Sequence, residues 1–478
     1  MDPVLRETGV SVNQVFFAPG ARTHWHVHDH GQLLRVATGS GLVCTVTRRS
    51  GRSEFTIARR LACNRHLGEA ARHRAFCSLS QSARATEFYD EKTAAGDSRH
   101  AALRKLGNRW LEVLWHCLYR RHQRRLRDNR AYRAAFDKEY TLRLARAHED
   151  NGWDRVLFAY GSGAPDPNIG AAYIACKTDT LQLLLAHRPN VSYPTFAAKT
   201  FATIDQVSNG RVTVHFITGD TDHEQQREGD YLTKDERYER TRECMQIVKK
   251  AWTSREPFDY QGKHYKFADF VSDVFPVQQP RPNLSFGGSS PAAYRAGGAE
   301  ADIYCLWGEP LARTAEQIES VRLAAKEAGR TDTPKIQVAF RPVIAPTEAR
   351  AWEKARDIVA RIETRVHAGG GALSRRRPVG NPENTGSQRL IAIAAEGELF
   401  DRALWTRTAA VTGGAGNSNA LVGTPETVAR AILDYIDLGV DIISMRGYDL
   451  LQDAIEVGQQ VIPIVREEVA KRDAAPLR

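Results

Sequence analysis

From Leu111 onward, short apolar runs alternate with longer segments of helical period. The runs are LEVLWHCLY (111–119), DRVLFA (154–159), LQLLLAH (181–187), VTVHFIT (212–218), NLSF (283–286), DIYCL (302–306), IQVAFRPVIA (336–345) and DIISMRGY (441–448). Between them, residues 139–152, 168–177, 194–207, 234–252, 315–328, 351–366 and 426–438 read as amphipathic helices, with a further helix opening at Pro291. Another helix closes the chain behind the last strand. Eight apolar strands alternating with helices predict an α/β fold, a (β/α)8 TIM barrel rather than an open doubly wound sheet. Such a barrel carries its site at the C-terminal ends of the strands. There stand YGSGAPD, HRPNVSYPT, TGDTD, GGSS, WGEP, GGAGN and GYDLL, so the polar and glycine motifs share one rim. The arginine- and glycine-rich stretch HAGGGALSRRRPVGNPENTG has no period and reads as a loop.

The sharpest of these motifs joins a strand to a helix. Asn283–Phe286 runs into Gly287-Gly288-Ser289-Ser290, and Pro291 opens the helix, where its missing N–H costs nothing. Free N–H groups and two hydroxyls at a helix N-terminus make a phosphate seat. A tight loop is the plainer reading of the same residues.

Ahead of the barrel, residues 15–47 alternate in strand fashion. His24, His26, His28 and His30 lie two apart and would share one strand face. His26, His28 and Gln32, with Gly20 and the Gly39-Ser40-Gly41 turn, resemble the first motif of the cupin family of small metal-binding barrels. Two imidazoles and a carbonyl oxygen could hold a divalent first-row metal. Residues 48–100 contain no second cupin motif and no period-2 pattern. The expected division is therefore a partial cupin-like segment at 1–47, an irregular basic linker at 48–110, and the barrel at 111–478.

Charge follows the same boundary. Residues 1–130 hold 23 Lys+Arg against 11 Asp+Glu, a surplus of 12, while the rest holds 44 against 46. A solvated basic segment is expected, with no nucleic-acid partner, since no aromatic-rich binding module accompanies it. No apolar run is long enough to span a bilayer, and the first residues lack the pattern of a secretory leader. The seven cysteines form no CxxC pair, so neither a disulfide framework nor a zinc knuckle is indicated. A cytoplasmic protein is expected.

From Glu139 onward the order of motifs resembles the luciferase-like flavin monooxygenases, most closely the FMNH2-dependent alkanesulfonate monooxygenases. The matching segments are RPNVSYPTFAAKTFATIDQVSNGRV, TGDTD, KDERYERTRE, PFDYQGKHY, PVQQPRPNLSFGGSSPAA, YCLWGEP, GGAGNSNALVGTPETVA and GYDLLQDAIEVGQQVIPIV. The resemblance implies a two-component enzyme, in which an NAD(P)H–FMN reductase supplies reduced FMN and O2 oxygenates a small organic substrate, in some members an organosulfonate. A homo-oligomer is expected. The resemblance places flavin contacts at Ser192, Tyr238, Gly288, Ser289 and Ser290, and catalytic groups at Tyr448 and His116. Trp307 would wall the substrate pocket, with Arg188 or Arg341 supplying a cation. Four family positions differ: the arginine before GGAG is Thr412, and the histidine after the last strand is Leu450. The strand-2 cysteine is Ala164, and a strand-7 histidine is Pro342. Two other readings stand beside this one: a deazaflavin (F420)-dependent oxidoreductase on the same barrel, and a catalytically impaired flavin-binding fusion protein.

Overall fold

The computed structural model describes residues 2–7, 10–14, 44–47, 54–57, 83–99, 101–103, 105–106, 136–219, 221–367, 382–414 and 419–474. Contacts divide the chain into two units, Met1–Arg133 and Ala134–Arg478. In the first, β1 (Asp2–Glu7) pairs antiparallel with β2 (Val10–Gln14), and β3 (Cys44–Thr47) with β4 (Glu54–Ile57). Helix α1 (Ala83–Ala94) follows, with Ala85 and Leu106 buried against Phe88 and Leu103. Within 48–110, expected to be irregular, the structure thus holds a strand and a helix. His26, His28, Gln32 and His116 lie outside the described residues, as does the expected strand Leu111–Tyr119.

The second unit is a mostly parallel sheet wrapped by helices. Helix α2 (Lys138–Asp150), capped by the Asp137 carboxylate, leads into β5 (Arg155–Phe158) and α3 (Pro167–Ala175). Then come β6 (Gln182–His187) with α4 (Pro194–Val207), and β7 (Val212–Phe216) with the short α5 (Asp222–Gln226) and long α6 (Lys234–Thr253). A hairpin of β8 (Phe258–Gln261) and β9 (Lys266–Phe270) interrupts the alternation. It resumes with β10 (Asn283–Gly287), α7 (Pro291–Glu300), β11 (Ile303–Trp307), α8 (Leu311–Glu327), β12 (Lys335–Ile344) and α9 (Glu348–His367). The tail holds α10 (Thr385–Glu396), β13 (Leu399–Phe400), β14 (Leu404–Trp405), α11 (Arg407–Thr412) and β15 (Ala420–Gly423). It closes with α12 (Pro425–Asp437), β16 (Ile442–Met445), α13 (Leu450–Gln460) and α14 (Ile462–Ala474).

Strands β5, β6, β7, β10, β11, β12 and β16 pair in parallel in that order, so seven of the eight expected strands form a continuous wall. Register then decides which side chains face inward. Ser285 pairs with His215 and Ile303, Gly287 with Cys305, Cys305 with Gln337, and Trp307 with Ala339. Partners in register share one face of a sheet. The alternate residues face the helices: a Cβ on Gly297 of α7 would meet Tyr304 and Phe286 at 2.4–2.5 Å, and His187 packs edge-on against Phe201 of α4. Phe216, Phe286, Tyr304 and Phe340 are fully buried in this outer layer. Each such side chain contributes about 1.5–3 kcal/mol of burial. That layer holds the wall, which frees the inner face for polar residues.

Candidate active site

The glycine-serine turn forms where β10 ends. Gly288 has φ +155, and a Cβ there would sit 2.6 Å from the Ala293 methyl and 3.3 Å from the Tyr238 hydroxyl. Only glycine lets the chain turn this tightly against α7. Ser290 is the N-cap of α7, its Oγ accepting the Ala293 N–H at 3.2 Å, and Pro291 occupies the first helical position. The Ser289 side chain lies near the Tyr294 phenol, which donates to Gln317 Oε1 at 3.1 Å. From the outer layer, the Tyr304 hydroxyl donates to the Gly288 carbonyl at 3.0 Å. Tyr238, 6 % exposed on the first turn of α6, packs edge-on against Phe286 at 6.0 Å. The structure therefore brings Tyr238, Gly288, Ser289 and Ser290 together. Ser192 stands apart from this turn in sequence, half-buried on the segment that leaves β6.

Arg188 continues β6 onto the rim and is 2 % exposed. Its terminal nitrogens donate to Glu228 at 2.7 Å and Glu224 at 3.1 Å, and its guanidinium lies 4.7 Å from the Tyr160 ring centre. Burial works to raise the Glu224 carboxyl, but the Ser162 N–H and Arg188 bring it below its ordinary value. Both ends of the Arg188 fork are thus occupied by carboxylates. Arg188 Nε, both amide atoms of Asn190 and both of Gln225 are buried without partners among the described residues. Buried polar atoms of this kind mark places for water or a ligand.

Arg341, at the C-terminal half of β12, differs from Arg188. It donates to the carbonyls of Arg446 at 3.2 Å and Gly447 at 3.4 Å, and its guanidinium lies 5.4 Å from the Tyr448 ring centre. No carboxylate pairs with it among the described residues, and its Nε is buried and unpartnered. Burial and the neighbouring Arg446 push it down to about 10, which still leaves it cationic at neutral pH. Burial pushes the Tyr448 phenol up, against the pull of Arg341 and Thr408. Trp307 closes the inner face at the end of β11 and stacks on Gly386, where a Cβ would meet its ring at 2.8 Å. The following loop is anchored by the buried Glu309, which accepts from Arg389 Nε at 2.8 Å, and by the Tyr435 hydroxyl on the Glu309 carbonyl.

Deeper in the barrel lies a group that sequence reasoning missed. His215, Ser285 and Cys305 come from three adjacent strands and face one another across the inner wall. Burial depresses the imidazole to about 4 and pushes the thiol up to about 11, so both are neutral at physiological pH. The available signal was period-2 alternation, which places these polar residues opposite the buried Val214, Phe286 and Tyr304.

Fold and site together describe an α/β barrel with a glycine-serine turn at a helix N-terminus on its rim. The chain belongs to the luciferase-like monooxygenase family, whose model matches residues 111–442. Solved structures of similar fold include the riboflavin lyase RcaE, crystallised with modified FMN and riboflavin. It is 24% identical over 71% of this chain and 88% of that one, with a TM-score of 0.57. The EDTA monooxygenase EmoA from Chelativorans sp. BNC1 is 22% identical over 72% and 90%, with a TM-score of 0.57. An F420-dependent secondary alcohol dehydrogenase is 16% identical over 69% and 96%, with a TM-score of 0.52. At these identities the likeness is one of fold. Among the described residues, no helix is long and apolar enough to cross a membrane and no group of three or more His, Cys, Asp or Glu is placed to hold a metal.

Proposed function

We propose that this protein is an FMNH2-dependent monooxygenase that oxygenates a small organic substrate carrying an anionic group. The observation that carries the reading is the β10–α7 turn, with Gly288, Ser289 and Ser290 under the Tyr238 hydroxyl. The donor set fits FMN. The helix N-terminus and serine hydroxyls suit a phosphate, and the unpartnered amides of Asn190 and Gln225 suit a polar heterocycle. Bound FMNH2, delivered by a separate NAD(P)H–FMN reductase, supplies the electrons that activate O2.

The remaining work falls to the chain. Ser289, Ser290 and the α7 N–H groups hold the phosphate, and Ser192 contributes from the β6 exit. Arg341 binds and orients the anionic end of the substrate, a carboxylate or sulfonate, with charge-assisted hydrogen bonds. Trp307 keeps water from the pocket mouth. Tyr448 stays protonated and holds a proton at Oη for the reacting oxygen. Arg188, with its fork filled by Glu224 and Glu228, braces the rim.

A coupled assay with an NAD(P)H–FMN reductase tests this, following substrate-dependent O2 uptake and product release across a panel of sulfonates, carboxylates and neutral analogues. Saturable binding of F420 without FMN binding would reverse the cofactor assignment. Tight FMN binding without turnover on any substrate would leave a catalytically impaired flavin-binding protein.

A further inference from the structure

The inner wall of the barrel holds a hydrogen-bonded chain that the phosphate seat does not use. His215 Nδ1 lies 2.9 Å from Ser285 Oγ. Ser285 Oγ lies 3.1 Å from Cys305 Sγ, while the thiol is 4.0 Å from Nδ1. Ser285 is fully buried, whereas His215 and Cys305 are only half-buried. The imidazole is thus reached from the lumen. Its second nitrogen, Nε2, has no partner among the described residues.

Acceptor strength decides between the two tautomers. Ser285 has one hydroxyl proton and two neighbours, a ring nitrogen and a thiol. Sulfur is a weak acceptor and an unprotonated imidazole nitrogen a strong one, so the hydroxyl donates to Nδ1 and the thiol donates to Oγ. Nδ1 then accepts, and the ring proton sits on Nε2. No acid among the described residues pairs with the ring to add a second proton. The result is a neutral N–H donor on the inner wall, on β7 in register with Ser285 of β10, which precedes Ser289 by four residues. A strand rises about 3.3 Å per residue, so a phosphorylated cofactor seated at Ser289 and Ser290 is within reach of this donor.

We propose that His215 donates its Nε2–H to a carbonyl oxygen of the bound cofactor's pyrimidinedione ring. Ser285 and Cys305 act as positioning residues that set the tautomer. The proposal rests on the cofactor reading given above, but not on FMN in particular, since flavins and deazaflavins share that ring. A neutral hydrogen bond of this kind shifts affinity by several-fold, which titration resolves.

The test has two arms. With 15N-labelled histidine, and His215→Gln to assign the signal, NMR of the unliganded full chain reads the tautomer directly. The expected result is an Nε2–H ring in wild type and a mixed population in Ser285→Ala. Fluorescence titration then compares FMN binding to wild type, His215→Phe and His215→Gln, each checked for unchanged circular dichroism. Phenylalanine should weaken binding about five- to ten-fold, and glutamine, which restores an N–H donor, should recover most of it. An Nδ1–H tautomer, or equal FMN affinity in wild type and His215→Phe, overturns the proposal. If wild type binds F420 instead of FMN, the same comparison is read with F420, and the FMN assignment alone fails. If it binds neither, both fail.

Discussion

Arg188 and Glu228 meet at 2.7 Å, joining the exit of β6 to the segment after α5 across 40 residues of sequence. Glu224 takes the other end of the same guanidinium at 3.1 Å, and both carboxylates remain partly exposed. Arg188→Met keeps the stem and deletes the fork, leaving two carboxylates side by side. The expected loss is about 1.5–3 kcal/mol, the value of a charge-assisted hydrogen bond with water screening the rest. Thermal unfolding should show it as a drop of several degrees.

The same cluster sets an acid limit. The Glu224 carboxyl lies below its ordinary value in the folded protein. Its contribution to stability is therefore complete above the unfolded value of about 4.3 and is lost as pH falls through the lower folded value. Melting curves between about pH 3 and pH 6 should show wild type losing stability over this window more steeply than Arg188→Met. Parallel curves for the two proteins would mean that Arg188 is not what holds the carboxyl down.

Arg341 makes the contrasting case, a half-buried cation resting on carbonyls with no carboxylate paired to it among the described residues. Arg341→Gln should raise KM for sulfonate or carboxylate substrates about ten- to a hundred-fold, the loss of one charge-assisted contact. FMN affinity and turnover of a neutral analogue should change little. A uniform loss across charged and neutral substrates would point to a packing role instead.

Gly288 tests the turn itself. Gly288→Ala puts a methyl 2.6 Å from the Ala293 Cβ and requires a positive φ of 155 from an L-residue. Strain of this kind is worth about 1–3 kcal/mol. Stability should fall by that order, and FMN binding should fall with it, because the serines move with the turn. Differential scanning calorimetry with and without FMN separates the two effects.

Much of the wall was legible because each strand carries its own apolar run. The helix 194–207 was predicted with the bounds it has, since a Pro opens it and polar Ser208-Asn209 ends it. The five-residue helix Asp222–Gln226 was invisible, being too short for a 3.6-residue period to register. The β8–β9 hairpin was seen only as the motif PFDYQGKHY, because its turn carries Gly262-Lys263 rather than a two-residue glycine signal. Short strands such as Leu404–Trp405 are defined by their neighbours, not by their own residues. At the site, the Gly288–Ser290 turn could be read locally. The Arg188–Glu228 pair and the His215–Ser285–Cys305 chain could not, since both are products of register between segments far apart in sequence.

The central claim is that Ser290 and the α7 N-terminus seat the phosphate of FMN. Ser290 also caps α7, so Ser290→Ala confounds lost binding with a lost cap worth about 1 kcal/mol. Ser290→Asp removes that ambiguity, because aspartate caps a helix as well as serine does but repels a phosphate. Anaerobic titration of wild type, Ser290→Ala and Ser290→Asp with FMNH2 and with reduced riboflavin is the most direct measurement. The account predicts FMNH2 binding about ten- to a hundred-fold weaker in Ser290→Ala and weaker still in Ser290→Asp. Riboflavin, which lacks the phosphate, should bind all three alike. Equal FMNH2 affinity in wild type and Ser290→Asp would place the phosphate elsewhere and contradict the account.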